Sequence, residues 1–307
     1  MDIGIIGLGR MGAGVAERLL AGGHRVVAYN RTAAKTHALA DEHGAVATES
    51  LAELVSTLQA PRTVWLYLPA GAVTEEHLLE LQGLLEAGDV VLDGGNSNFH
   101  LSATRAATLG EKGIDFLDVG TSGGIAGREV GYCLMIGGSP EQYGRLEPAW
   151  KSVAIDGGYR LMGPVGSGHY VKMVHNAVEY GMMQAYGEGM QLLNDGSYAG
   201  KLDLAEIADL WEHGSIVRSF LGGLLRDALK DDGTLANVQG VVADSGEGRW
   251  SVEEALQAGI PVPVFTAALF ARYSSRMTSP VAAKVVAVLR TRFGGHATNP
   301  GEPIRFS

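Results

Sequence analysis

The chain has 307 residues, enough for two domains or for one large domain with a substantial core. Its formal net charge of −10 argues against a nucleic-acid-binding surface, which normally carries a basic excess, and leaves the binding of an anionic substrate to local arginines. One cysteine, Cys133, excludes an internal disulfide. The chain has no apolar run near the ~20 residues of a membrane span and no signal-peptide pattern. Together with the single cysteine, these features favour a cytoplasmic protein.

The first part of the chain alternates short apolar strands with helices. Strands are predicted at 2–7, 24–30, 63–69, 89–95, 115–120, 132–138 and 159–163. Helices are predicted between them at about 11–22, 74–86 and 102–112. Apolar strands that alternate with helices indicate a parallel sheet covered on both faces, so we expect a Rossmann-type doubly wound α/β fold.

From Gly168 onward the pattern changes to long helical periodicities, and strand signals nearly vanish. Helices are predicted at 168–195, 203–214, 217–229, 251–258, 263–275 and 279–292. We therefore expect an all-α helical domain after the α/β domain. The predicted boundaries are 1–165 for a dinucleotide-binding domain, 166–292 for a helical substrate and oligomerisation domain, and 293–307 for a C-terminal tail. The glycine-rich segment 163–168 would be the hinge.

The first motif is a glycine-rich turn between a strand and a helix. Its residues are Gly7, Leu8, Gly9, Arg10, Met11 and Gly12. In that context the motif is typical of a dinucleotide-binding turn, which holds a pyrophosphate at the helix N-terminus. The alternative is a purely structural turn. We add Leu68, Pro69 and Ala70, at the end of another predicted strand, to the expected cofactor-binding residues.

The second strand is not followed by an acidic residue, the type of residue that hydrogen-bonds the ribose hydroxyls of NAD. The chain has Asn30, Arg31 and Thr32 there, and an arginine can bind a 2′-phosphate. The segment therefore predicts NADP as cofactor, with NAD as the alternative if Arg31 only stacks on adenine.

Two polar, glycine-rich loops follow strands on the expected ligand edge of the sheet. One carries Asn96, and the other carries Ser122, Gly123 and Gly124. Ligands bind outside the carboxyl ends of such strands, and exposed loop amides can bind a carboxylate. Each loop taken alone could be a structural turn; both on one edge favour a substrate site.

The most unusual stretch is an apolar helix that carries four polar groups, Lys172, His175, Asn176 and Glu179. At 3.6 residues per turn they fall on one face, within an arc of about 100°. Burial of such groups is costly unless they are paired or functional. They indicate a catalytic face; the alternative is a polar network that only fixes helix packing.

These motifs together resemble one family. GLGRMG, NRT, DGGNS, TSGG and GHYVKMVHNAVEYGMMQ have the order and spacing seen in decarboxylating 6-phosphogluconate dehydrogenases, in the short form that lacks a duplicated helical unit. The related β-hydroxyacid dehydrogenases share the fold, the glycine turn and a helix lysine. They usually place an asparagine four residues after that lysine, without the His-Asn-x-x-Glu-Tyr set.

The resemblance implies a reaction that oxidises a secondary alcohol, releases CO2 from the β-keto acid and protonates the enediol, as in the pentose phosphate pathway and gluconate utilisation. Lys172 would be the base, with its pKa lowered by desolvation. Glu179 would be the acid of the last step, with its pKa raised by burial. His175 and Asn176 would hold the substrate.

The resemblance also implies a set of phosphate-binding residues: Tyr180, Arg272, Arg290 and His296. In longer members the last two reach in from a partner subunit; the alternative is that the tail is a frayed terminus. The segment Ser245–Trp250 departs from the KGTGKW of longer members. Its Glu247 would repel a phosphate unless Arg249 or a tail arginine compensates.

Other functions remain open from the sequence. Glu247 favours a β-hydroxyacid dehydrogenase acting on an unphosphorylated acid, whereas a non-catalytic dinucleotide-binding sensor would need neither a base nor an acid. We expect no metal, because the nine histidines are scattered without ligand spacing. An apolar helical domain with close-packing glycines predicts a homodimer or a homotetramer.

Overall fold

The computed structural model describes residues 1–294. Eight strands form one sheet in the order β3-β2-β1-β4-β5-β6-β7-β8. They are β1 (Asp2–Ile6), β2 (Arg25–Tyr29), β3 (Val46–Thr48), β4 (Thr63–Leu66), β5 (Val90–Asp93), β6 (Asp115–Ser122), β7 (Tyr132–Gly137) and β8 (Ala154–Gly163). The first six strands follow the doubly wound order, which places the reversal between β1 and β4. The predicted Rossmann-type fold is confirmed.

Helices cover both faces of the sheet. They are α1 (Arg10–Ala21), α2 (Ala33–His43), α3 (Leu51–Thr57), α4 (Ala72–Leu84), α5 (His100–Gly110), α6 (Gly127–Val130), α7 (Pro140–Arg145) and α8 (Glu147–Val153). Strands such as β4 and β5 are buried along their whole length, and two separate apolar clusters lie on the two sides of the sheet. Burial on both faces explains why these strands are continuously apolar rather than alternating.

The sheet is not wholly parallel as predicted, because β7 pairs with β6 in antiparallel orientation. Only the stretch 123–131, with the one-turn helix α6, joins the two strands. A parallel crossover needs about a dozen residues or more, so this connection is too short to return the chain to the starting edge. The strand β8 then pairs parallel with β7.

The rest of the described chain is helical, as predicted. Its helices are α9 (Ser167–Asp195), α10 (Leu204–Glu212), α11 (Phe220–Asp231), α12 (Glu247–Ala258), α13 (Pro263–Ser275) and α14 (Val281–Gly294). A small cluster of Met190, Ala208 and Leu229 forms the buried centre between α9, α10 and α11. Among residues 1–294 no helix is both long enough and apolar enough to cross a membrane.

The chain divides into two compact units. The first comprises Met1–Glu179 and Gly246–Pro261, so it includes the sheet, the first half of α9 and helix α12. The second comprises Tyr180–Ser245 and the chain from Val262 onward. The segment 163–168, predicted as a hinge, lies inside the first unit, and the predicted domain boundary near residue 165 stays a prediction.

Candidate functional site

The glycine-rich turn leaves open space in front of helix α1. Gly7 has a φ of 94°, which favours glycine, and a Cβ at Gly12 would collide with the carbonyl oxygen of Gly7. A Cβ at Gly9 would meet no atom within 4 Å, and within residues 1–294 no side chain caps the first turn of α1. The amides at this helix start are therefore available to an anionic ligand, so the turn fits the pyrophosphate of a dinucleotide.

Asn30 at the end of β2 braces this turn. Its Oδ1 accepts a hydrogen bond from the Leu8 amide at 2.9 Å, and its Nδ2 donates to the Thr32 carbonyl at 3.1 Å. Arg31 is exposed beside it, as is Thr32. Across the turn, the side chain of Leu68 would lie 3.0 Å from a Cβ at Gly7. The remaining residues predicted at this site, Arg10, Met11, Pro69 and Ala70, are exposed or partly exposed.

A buried ion pair, which the sequence did not reveal, anchors the loop that carries Asn96. The Asp93 carboxylate accepts hydrogen bonds from Arg105 and from the Ser97 hydroxyl, both at 2.6 Å, and from the Gly95 amide at 3.0 Å. Both charged groups are buried. Asn96 lies between the two anchored residues with its side chain exposed, so the loop presents this amide from a fixed backbone.

The second loop begins where β6 ends. Gly123 and Gly124 have φ angles of 130° and 54°, which turn the chain sharply after Ser122. The Ser122 hydroxyl lies 3.2 Å from Nε2 of His175 on α9. The structure therefore brings together one predicted loop residue and the predicted catalytic helix.

Asp118 of β6 fixes the start of α9, and the sequence did not reveal this role. Its side chain is fully buried; Oδ1 accepts the Gly166 amide at 2.6 Å and Oδ2 accepts the His169 amide at 2.7 Å. Because the first amides of a helix have no partner within it, this carboxylate caps α9 from another element. Glycines let the helix lie directly on the sheet, since a Cβ at Gly168 would overlap backbone atoms of β6 and β7.

Lys172 is the buried base candidate on this anchored helix. The residue is 7% exposed, and its side-chain stem lies against Gly120 of β6, where any Cβ would clash. Desolvation by burial lowers the pKa of the Lys172 amine, while the charges of Glu179, Glu247 and Cys133 oppose this shift. Its Nζ is 3.5 Å from Nδ1 of His175. The lowered pKa increases the fraction of neutral amine, which is the form that can accept a proton.

His175 connects Lys172 to the other polar groups of the face. Its Nδ1 lies 3.2 Å from Oδ1 of Asn176, and its Nε2 faces the Ser122 hydroxyl. A neutral imidazole satisfies both contacts if Nδ1–H donates to the amide and Nε2 accepts from the serine. Burial, and then the charge of Lys172, lower the pKa of His175, which favours this neutral form.

Glu179 lies two turns after Lys172, but the prediction that it is buried is wrong. Its side chain is 39% exposed, and Oε2 is 4.0 Å from Nδ1 of His175. The helix is also less buried than its apolar sequence suggests, because Tyr170, Val178, Met182 and Leu192 are exposed. The buried side of the first half of the helix carries Lys172, Met173, Asn176, Ala177 and Tyr180, whereas solvent reaches the carboxyl of Glu179.

Two of the four predicted phosphate-binding residues are in contact in the second compact unit, called the helical unit below. The guanidinium of Arg272 stacks over the ring of Tyr180, 3.3 Å from the ring centroid, and donates to the Ala243 carbonyl at 3.0 Å. The Tyr180 hydroxyl lies 3.2 Å from the Ser245 hydroxyl and also donates to Asp244. Arg290 is exposed on α14. His296 lies outside the described residues.

The fold and the site define an NAD(P)-binding oxidoreductase with a Rossmann-type sheet and a lysine-bearing helix. Two family models match the chain: the NAD binding domain of 6-phosphogluconate dehydrogenase over residues 2–163, and the C-terminal domain of the same enzyme over residues 168–295. The chain belongs to the 6-phosphogluconate dehydrogenase family.

Several relatives carry that name over most of the chain. The NAD(+)-dependent, decarboxylating 6-phosphogluconate dehydrogenase of Haloferax volcanii is 44% identical and aligns over 96% of this chain and 98% of its own. The decarboxylating enzyme of Lactococcus lactis is 35% identical over 99% of this chain and 68% of its own. The chain therefore matches a short relative nearly end to end and about two thirds of a longer one.

Solved structures of known dehydrogenases share the fold of this chain. The 6-phosphogluconate dehydrogenase of Plasmodium falciparum superposes with a TM-score of 0.82 at 31% identity, covering 99% of this chain and 67% of that chain. The 3-hydroxyisobutyrate dehydrogenase of Salmonella typhimurium has a TM-score of 0.75 at 21% identity, which shows a shared fold alone. Within residues 1–294 no group of three or more potential metal ligands is arranged to hold a metal ion.

Proposed function

We propose that this protein oxidises and decarboxylates 6-phospho-D-gluconate to D-ribulose 5-phosphate and CO2, with NADP as oxidant. The observation that carries the proposal is the buried Lys172 on the face of α9 that also presents His175, Asn176 and Glu179. The family supports it, since relatives of the chain are named decarboxylating 6-phosphogluconate dehydrogenases. The 6-phosphogluconate dehydrogenase of Plasmodium falciparum was solved in its apo form, in complex with its cofactor NADP+ and in complex with its substrate 6-phosphogluconate.

Lys172 is the base of the oxidation step. Because burial lowers the pKa of its amine, a neutral lysine is available to take the proton of the substrate hydroxyl. The glycine turn would hold the pyrophosphate of a dinucleotide, and the nicotinamide of that cofactor would supply the hydride acceptor for the same carbon. As CO2 leaves and negative charge develops on the new carbonyl oxygen, the resulting ammonium returns its proton to that oxygen, which gives the enediol and a neutral lysine.

Glu179 is the acid of the last step. The enediol left after decarboxylation must gain a proton on carbon, and Glu179 lies two turns along the same face. Its partial exposure gives the carboxyl a route to recover its proton from water between turnovers. His175, whose ring orientation is fixed by its contacts with Asn176 and Ser122, holds the substrate between the two groups.

The substrate carboxylate and hydroxyls require donors from the sheet edge. We assign them to Ser122, the amides of Gly123 and Gly124, and Asn96, each at the end of a strand whose backbone is anchored. In the helical unit, the pair of Arg272 and Tyr180 supplies a cation and a phenol, which we propose bind a phosphate group. Arg290 and His296 of the C-terminal region are proposed to bind phosphate as well.

For the cofactor we propose a preference for NADP over NAD. Support comes from the residues after β2, where Asn30 is neutral and the exposed Arg31 can bind the 2′-phosphate. The Haloferax volcanii relative is named as NAD(+)-dependent, so NAD is the alternative. Michaelis constants for the two cofactors decide between them, and a clear preference for NAD would contradict the assignment.

We also propose that the chain forms a homodimer or a homotetramer and works in the cytoplasm. Large apolar side chains in the helical unit are exposed: Ile216, Phe220, Leu224, Val264 and Phe270. Exposed apolar patches of this kind are typical of association surfaces. The single unpaired Cys133 suits a reducing compartment. Light scattering in solution tests the first point, and cell fractionation tests the second.

A substrate comparison tests the proposed reaction. Purified protein is given NADP with 6-phosphogluconate, gluconate or 3-hydroxyisobutyrate, and both reduced cofactor and CO2 are measured. We expect both products with 6-phosphogluconate alone. Reduced cofactor without CO2 from 3-hydroxyisobutyrate would instead indicate a β-hydroxyacid dehydrogenase, and neither product from any substrate would indicate a sensor.

A further inference from the structure

Glu247 is a buried carboxyl that the proposed reaction does not use. It is the first residue of α12, in the segment where the chain departs from longer family members. The residue is only 3% exposed, and its Oε2 has no hydrogen-bond partner among residues 1–294. A buried carboxylate oxygen without a partner is costly, so it calls for a functional explanation.

The first turn of α12 is attached to the catalytic helix next to Lys172. The hydroxyl of the buried Ser251 lies 3.2 Å from the carbonyl oxygen of Met173 and 3.0 Å from that of Glu247. This serine therefore joins the backbone of Glu247 to the backbone of the residue that follows Lys172. These contacts fix the backbone at Glu247 relative to the backbone of Met173, the neighbour of Lys172.

Four titratable groups of the described chain interact electrostatically with the Lys172 amine. His175 and Glu179 lie on α9 itself, Cys133 lies on β7, and Glu247 lies on α12. Of the two carboxyls, Glu179 is 39% exposed and is screened by water, whereas Glu247 is almost fully buried. A charge in a buried environment acts over a longer distance than one at the surface. Glu247 is therefore the acidic group whose charge water screens least.

We propose that Glu247 is the buried counter-charge of Lys172, a positioning residue that sets how readily the lysine takes up the substrate proton. The inference deepens the proposed function, because it rests on Lys172 as the base. When the substrate hydroxyl gives its proton to Lys172, an ammonium forms in an apolar setting. The carboxylate of Glu247 stabilises that ammonium through space until the proton returns to the carbonyl oxygen. No bond to Glu247 forms or breaks.

The proposal predicts the direction of a pH shift. The charge of Glu247 raises the pKa of Lys172, against the larger lowering by burial. The substitution Glu247→Gln removes this charge and so lowers the pKa of Lys172 further. Lys172 then stays neutral down to a lower pH. The acid limb of kcat/KM for 6-phosphogluconate is then expected to move to lower pH. Glu253→Gln is the matched control, because it makes the same change at an exposed position of α12, and its profile should equal that of the wild type.

A second readout does not depend on the substrate. The pH dependence of Lys172 acetylation by acetic anhydride, followed by peptide mass spectrometry, reports the titration of the amine in the cofactor-free protein. Its midpoint should be lower in Glu247→Gln than in the wild type and in Glu253→Gln. If 6-phosphogluconate is not turned over at all, the proposed function fails, while this labelling still tests the role of Glu247.

A merely structural role gives the opposite pattern. The Tm of Glu247→Gln would then fall while the labelling midpoint stayed at the wild-type value, and that result would overturn the proposal. We expect no such fall, because before the substrate proton is transferred Lys172 is neutral, and a neutral amide is then cheaper to bury than a carboxylate whose Oε2 has no hydrogen-bond partner among residues 1–294. Glu247→Met repeats the test with a neutral side chain of similar length should the amide not be tolerated. Glu247→Asp should restore a midpoint close to that of the wild type.

Discussion

Replacing Asp118 with asparagine tests how the start of the catalytic helix is held. The carboxylate accepts two backbone amides, from Gly166 at 2.6 Å and from His169 at 2.7 Å, in a fully buried site. Asparagine keeps one acceptor oxygen but turns an NH2 group toward the other amide. One hydrogen bond is therefore lost, and a buried N–H is left facing a second donor.

The expected cost follows from these two contacts. A hydrogen bond to a charged group contributes about 1.5–3 kcal/mol, and an unsatisfied buried amide costs a further ~1–3 kcal/mol. Since the two terms overlap, we expect Asp118→Asn to lower the free energy of unfolding by about 3 kcal/mol. For a domain of 150–250 residues this corresponds to a fall in Tm of roughly 6–12 °C.

The same change should also slow the reaction. The first turn of α9 is expected to move away from β6, and Lys172 moves with it relative to Ser122. Because a displacement near 1 Å can cost about 100-fold in rate, we expect kcat to fall at least ~10-fold. The affinity for NADP should not change, since the glycine turn lies on other elements.

For Asp118→Asn, thermal denaturation checks the Tm, cofactor titration checks the NADP affinity, and steady-state kinetics check kcat. Asp115→Asn is the matched control on the same strand. Asp115 accepts from the side-chain amide of Gln142, which can reverse its orientation to donate to or accept from an asparagine. A variant Asp118→Asn with wild-type Tm and wild-type kcat would refute the anchoring of α9 by this carboxylate.

Three further predictions concern the proposed roles. Glu179→Gln should leave NADP affinity unchanged and slow ribulose 5-phosphate formation at least ~100-fold, because an amide cannot supply the proton; rapid product formation would exclude Glu179 as the acid. Arg31→Ala should raise the KM for NADP at least ~10-fold, by removing a phosphate contact, with a smaller change for NAD; equal changes would indicate stacking on adenine. Truncation after Phe293 should raise the KM for 6-phosphogluconate, and an unchanged KM would refute phosphate binding by the tail.

The order of the elements could be predicted from the sequence, because apolar periodicity is a local property. The catalytic helix was predicted from residue 168 and begins at Ser167. The segment with α2, β3 and α3 was missed, because α2 buries only Thr36 and Leu39 and β3 has three residues. Weak patterns of this kind do not distinguish a short covered helix from a loop.

The polar face of α9 could also be predicted, but its surroundings could not. Spacing along one helix places Lys172 and Glu179 on one side without any knowledge of the fold. Whether each is buried depends on what packs there: Lys172 lies against Gly120, whereas Glu179 has no such cover and is 39% exposed. The cap by Asp118 joins residues about 50 positions apart, and only the register between β6 and α9 reveals it.

The central claim is that Lys172 starts an oxidative decarboxylation of 6-phosphogluconate. The most direct test gives wild type and Lys172→Met the substrate labelled with 13C at its carboxyl carbon, and measures reduced nicotinamide and 13CO2 in the same reaction. We predict equal amounts of the two products from the wild type. From the variant we predict neither product, although it still binds NADP. Near-normal turnover by Lys172→Met, or reduced nicotinamide without 13CO2 from the wild type, would contradict this account.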